Sequence, residues 1–117
     1  MAVGDLHAAQ GDGESIISGI EAYGAVTLKC SSVDEPAVAR PMVVTDRWVM
    51  TTADGLTIEE AHKAALDDMA NLLVKRLAMD YVEAAMLISI AGELRICQII
   101  NPRVGVKVMI PTTILTF

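Results

Sequence analysis

The sequence predicts an α+β domain, a mainly antiparallel sheet with two helices on one face. Three observations predict it. Residues 15–52 read as strands, residues 57–92 hold two capped helical stretches, and strand-like patterning returns over residues 93–110. Strands, then helices, then strands gather the helices on one side of a sheet, whereas a parallel sheet needs the two to alternate. No Gly-x-Gly-x-x-Gly opens either helix, so a dinucleotide crevice is not expected.

Within the strand region, residues 15–21 are short and mixed. Residues 24–30 alternate, with Val26, Leu28 and Cys30 on one face and Thr27 and Lys29 on the other. Asp34, Glu35 and Pro36 make residues 31–39 a loop. Residues 41–45 and 47–52 form a hairpin-like pair around Asp46, and Ala53-Asp54-Gly55 closes the strand region. Thr57, with Glu60 three residues on, has the spacing of a capping box that starts a helix. Ala61, Ala65, Met69, Leu72, Leu73 and Leu77 keep to one stripe, opposite Glu59, Lys63, Asp67 and Lys75. His62 falls on the polar side and is expected at the surface. A second helix starts at Asp80, which pairs with Glu83 in the same way, and ends at Gly92. Its Ala84, Ala85, Leu87, Ile88 and Ile90 are apolar on more than one side, which predicts the more buried helix. Residues 93–100 form a strand and Asn101-Pro102 a turn. Val104, Val106, Val108 and Ile110 then alternate through a strand with one buried face.

The 117 residues suit a single domain with a modest core. Hydrophobic residues make up 53% and charged ones 21%, which is apolar for a monomer of this size. Either the core is rich or, as we prefer, some apolar surface meets another chain or a missing domain. With 3% aromatics the core must come from Val, Ile, Leu, Met and Ala, and the seven methionines read as core filler. A net charge of −6 with scattered Lys and Arg argues against nucleic acid as a partner. No apolar run approaches the roughly 20 residues of a membrane span, and no secretory leader opens the chain. A cytoplasmic protein is therefore expected, with Cys30 and Cys97 as buried reduced thiols.

The chemistry-bearing stretch is residues 4–14, GDLHAAQGDGE. It is too polar for a core strand and has no amphipathic stripe. In an extended segment Asp5 and His7 point to one side, where both could ligate an ion; Asp12 and Glu14 repeat that spacing. Four converging donors with few positive charges nearby would repel one another unless a cation or protons compensate, and a divalent metal is the economical solution. Mixed carboxylate and imidazole donors suit zinc, and an all-oxygen subset suits calcium. From spacing alone a solvated Gly/Asp turn is the commoner outcome. No Gly-x-Ser-x-Gly is present, and Cys97 lies within an apolar strand, so Ser and Cys nucleophiles lack a recognisable partner.

That stretch closely resembles the Gly-Asp-x-His-Ala-Ala-Gln-Gly-Asp-Gly-Glu signature of the acetamidase/formamidase family. Residues 57–70 (TIEEAHKAALDDMA), 82–92 (VEAAMLISIAG) and 93–102 (ELRICQIINP) also resemble that family's C-terminal region, in the same order. The resemblance implies hydrolysis of short amides such as formamide and acetamide to carboxylate and ammonia. On the positions that this motif marks, we assign on chemical grounds Asp5, His7 and Asp12 as metal ligands, Glu14 as the base that takes a proton from water, and Gln10 as the residue orienting the amide. Spacing alone does not fix which carboxylate does what. Glu21 is either an outer partner of a ligand or an exposed strand carboxylate. Family members carry a whole N-terminal half before this motif. Residues 1–117 therefore read as the C-terminal part of a larger active site, with a homo-oligomer or a separate N-terminal partner chain expected. The alternative is a non-catalytic assembly domain that keeps the scaffold alone.

Overall fold

The structure, a computed structural model, describes Gly4, residues 6–12 and residues 14–117. Its elements are β1 (His7–Ala9), β2 (Ile20–Glu21), β3 (Met42–Val44), β4 (Trp48–Gly55), α1 (Ile58–Leu77), α2 (Tyr81–Ala91), β5 (Glu93–Gln98) and β6 (Val104–Pro111). β3, β4, β6 and β5 lie in that order in an antiparallel sheet, while β1 and β2 form a separate antiparallel pair. The chain is α+β, as predicted.

The core follows from two periods meeting. Val49, Thr51 and Ala53 point to one face of β4, and Val106, Val108 and Ile110 do the same on β6. Over them lies α1, whose Ala61, Ala65, Met69, Leu72 and Leu73 are buried at helical spacing. The alanines let the helix approach closely. Thr51 donates its hydroxyl proton to the Ala65 carbonyl at 2.7 Å, which satisfies the polar group buried in this layer. Gly55 marks the tight turn into α1: a Cβ there would lie 2.7 Å from the Ala61 nitrogen. The expected hairpin around Asp46 joins β3 to β4, and Thr45 Oγ1 accepts from Trp48 N at 3.0 Å inside its turn.

Several expectations change. Residues 24–30 form no strand, and Val26 and Leu28 are exposed. An alternating pattern becomes a strand only where another edge supplies hydrogen bonds. The more buried helix is α1, because it lies across the central strands β4 and β6. α2 packs chiefly on α1, buries only Ala84 and Ile88, and leaves Val82, Met86 and Ile90 in solvent. At the start of α1, Thr57 accepts from Glu60 N at 3.2 Å, but Glu60 reaches past it to accept from Leu56 N at 2.9 Å. The full reciprocal box forms at α2, between Asp80 and Glu83. Cys30 is exposed and Cys97 half-buried, not both buried. His62 is half-buried beside Leu66, Ile88 and Ser89 at a pocket of ≈ 240 Å³, because α2 leans over the polar side of α1.

Candidate functional site

The helices cover one face of the sheet, and the motif segment lies against the other. On β6 the residues between the core positions are Gly105, Lys107 and Met109; Lys107 sits opposite Thr52 on β4 and Arg95 on β5. Two ties bring the segment there. The Glu14 carbonyl accepts from Ile99 N at 3.1 Å, beside a parallel bridge between Glu14 and Gln98. The Asp12 carboxylate accepts from Lys107 Nζ at 2.8 Å and 2.9 Å, one bond to each oxygen. Arg95 stands 4.0 Å from Asp12 and is itself held by Glu93 at 3.0 Å and 2.7 Å.

His7 lies on β1, directly opposite Glu21 on β2, and its Nε2 is 3.0 Å from Glu21 Oε1. The Leu6 carbonyl accepts from Ala22 N at 3.1 Å and extends this short ladder. Gly19 passes under the imidazole so closely that a Cβ there would clash with the ring. Gln10, Asp12, Glu14, Ser15, Ile16 and Ser18 line an open cleft of ≈ 260 Å³.

The expected site residues therefore separate into groups. His7 pairs with Glu21, while Gln10, Asp12 and Glu14 share the cleft, with Asp12 also bound to Lys107 on the sheet. Asp5 lies outside the described residues. Among those described, no three His, Cys, Asp or Glu side chains converge in a way that could hold an ion. The His7–Glu21 pair does fit a metal-binding imidazole, whose ring a carboxylate commonly fixes in orientation and tautomer. The expectation of few positive charges near the motif does not hold, since Lys107 and Arg95 both face Asp12.

Residue-by-residue inspection of the sequence missed Lys107, Arg95 and Gly19. One signal was visible: Lys107 is the single charge within an otherwise apolar run over residues 104–111. Cys97 lies close to Lys107 and Asp12, yet burial pushes its thiol up, more than Lys107 lowers it. It is thus poorly suited to nucleophilic attack, which needs the thiolate. On β4 opposite Gly105, Asp54 accepts from the Arg103 guanidinium, which holds its carboxyl below the usual carboxylate range.

An antiparallel sheet backed by two helices on one face, with a Gly/Asp/His-rich segment tied across the other, defines the class to which the chain belongs. Its sequence matches the acetamidase/formamidase family over residues 1–117. Among solved structures it is similar to an acetamidase from Bacillus halodurans, with 39% identity and a TM-score of 0.85 over 92% of this chain and 36% of that one. It is also similar to a protein predicted to be an acetamidase/formamidase from the thermophile Thermoanaerobacter tengcongensis, with 30% identity and a TM-score of 0.61 over 63% of this chain and 25% of that one. An acetamidase from Yersinia enterocolitica shares the fold at 22% identity and a TM-score of 0.61, over 65% of this chain and 23% of that one. No curated protein matches. The chain belongs to the acetamidase/formamidase family. It spans about a third of the length of the Bacillus relative. Among the described residues no helix is long and apolar enough to cross a membrane.

Proposed function

We propose that the chain forms part of the active site of a metal-dependent hydrolase, one that splits short linear amides of the formamide and acetamide kind into carboxylate and ammonia. The observation that carries this is the cleft of ≈ 260 Å³ at the family's own motif, with Gln10 and Glu14 among its lining residues. A space of that size, bounded by Gly11 and two serines, suits a substrate of few atoms.

In this reading Glu14 takes the proton of the attacking water and passes it to the departing nitrogen. Gln10 orients the amide, since its side chain offers both a donor and an acceptor to the substrate's complementary pair. His7 and Asp5 hold a divalent ion, zinc by the mixed donor set or calcium if oxygen donors dominate, and Glu21 fixes the His7 ring. When bound, such an ion lowers the pKa of its water and polarises the carbonyl. The open side of the cleft is closed by the remainder of a longer chain, by a partner chain, or by a second copy.

The second reading is a non-catalytic assembly domain. The outward face of α2 favours it: Val82, Met86 and Ile90, four residues apart, are 64%, 54% and 84% exposed. Such a stripe asks for a covering surface.

Metal analysis of the purified chain, with ammonia release from formamide and acetamide measured before and after chelation, separates the two. Bound metal and chelator-sensitive turnover support the hydrolase. A folded chain with neither supports assembly. In an enzyme complemented with its missing portion, Glu14→Gln should abolish turnover and keep the metal; a fully active variant would contradict the role of Glu14 as base.

A further inference from the structure

We propose that Lys107 is the positioning residue of the motif segment. Its ammonium, bound to both oxygens of Asp12, fastens the cleft-forming residues 10–12 and 14–18 to the open face of the sheet, and Asp12 serves as that anchor and not as a metal ligand.

The geometry supports this at three points. First, Lys107 reaches both Asp12 oxygens, at 2.8 Å and 2.9 Å, so each is already engaged by a cation. The Lys107 side chain is only 16% exposed, while that of Asp12 is 47% exposed, so solvent screens the pair from the Asp12 side alone. Second, Lys107 stands on β6, which is hydrogen-bonded on both edges, to β4 and to β5. Its backbone cannot drift, so a group tied to it is held in place. Third, the segment has little else to hold it. Gln10, Asp12, Ser15, Ile16, Ile17 and Ser18 are all exposed and bring no apolar side chain to the core. Besides the ion pair, the described tie of this stretch to the sheet is the Ile99 N to Glu14 carbonyl bond. The Gln98 side chain supports that bond by accepting from Ile100 N and donating to the Arg103 carbonyl. Asp12 and Glu14 are two residues apart, so fixing one carboxylate limits where the other can point. Arg95 adds a second positive charge near Asp12, but Glu93 already engages it more closely. Lys107 is therefore the principal cation.

A divalent ion and an ammonium would compete for the same two oxygens. Asp12 and Glu14 both line the cleft, and the Lys107 pair leaves Glu14 as the one of the two that no described cation engages. The catalytic consequence rests on the amide-hydrolase reading; the anchoring itself does not.

The test uses amide hydrogen exchange on the full 117-residue chain, comparing wild type with Lys107→Met, Lys107→Arg and Asp12→Asn. Anchoring predicts that Lys107→Met and Asp12→Asn each raise exchange at the Ile99 amide at least tenfold and leave the Val108 and Ile110 amides within twofold of wild type. Lys107→Arg should restore protection, and the double variant should be no worse than either single one. Unchanged exchange at Ile99 in Lys107→Met overturns the anchor, as does a uniform rise across all three amides, which would mark general destabilisation. Zinc titration gives an independent check: Asp12→Asn should bind zinc as wild type does, and a tenfold or larger loss of affinity there would make Asp12 a ligand. If wild type releases no ammonia from acetamide, the hydrolase reading fails while the exchange data still decide the anchor.

Discussion

Gly19 and His7 are in contact: the glycine backbone passes where any larger residue would meet the imidazole edge, and that edge carries the Nε2 that pairs with Glu21. Gly19→Ala should therefore displace the ring and break its 3.0 Å pairing with Glu21. The change lies in a small outlying β-pair, so global stability should shift by no more than about 0.5 kcal/mol. NMR of the His7 ring protons, read alongside thermal unfolding, checks both halves. Unmoved ring resonances would show that the close approach is unimportant.

A second expectation concerns Asp68, which α1 buries and which Arg40 NH1 contacts at 3.1 Å. The loop before β3 supplies that arginine, so the ion pair ties the loop to the helix. Arg40→Ala would leave a buried carboxylate without its cation. The expected loss is about 1–2 kcal/mol, at the lower end for a charged group because Arg40 is half exposed. Urea unfolding measures it, and Asp68→Asn in the Arg40→Ala background should recover part of the loss.

Ala78 ends α1 in the left-handed region, at φ 54°, where a Cβ is unfavourable and glycine is the usual occupant. Ala78→Gly should raise stability by about 0.5–1 kcal/mol, relieving that conformation at some cost in unfolded-state entropy. A rise of a few degrees in Tm is the expected result. A fall would mean that the Ala78 methyl makes packing contacts worth more than the strain.

The Asp54–Arg103 pair predicts an acid dependence. Hydrogen bonding and charge from Arg103 lower the Asp54 pKa in the folded chain. A depressed carboxyl contributes stability that is complete above its unfolded pKa of about 3.9 and is lost as pH falls through the lower folded value. Asp54→Asn should therefore flatten the fall of Tm at pH below about 4 and leave the slope near neutrality unchanged. Both side chains are exposed, so the effect is small and should weaken further in high salt.

Local patterns announced much of this architecture. The capping pairs at Thr57 and Asp80, the apolar stripe from Ala61 to Leu73 and the alternation from Val104 to Ile110 each involve neighbours within four residues in sequence. Such relations survive in a one-dimensional reading because helix and strand periods are properties of the chain itself. Burial of α2 was misjudged for the opposite reason. Its apolar residues on several sides say that it wants cover, but which helix takes the centre of the sheet depends on strand order. The same holds for Val26 and Leu28, whose alternation formed no strand.

The sequence by itself determined the class of fold, the two helices and their caps, the β3–β4 hairpin, the family, and the short segment in which to look for chemistry. Tertiary structure alone decided how that segment is divided. Asp12 meets Lys107 from 95 positions away, His7 meets Glu21 across a strand pair, and Glu14 remains beside the cleft. Charges distant in the chain become partners only when a sheet folds between them, and no spacing within eleven residues can record that.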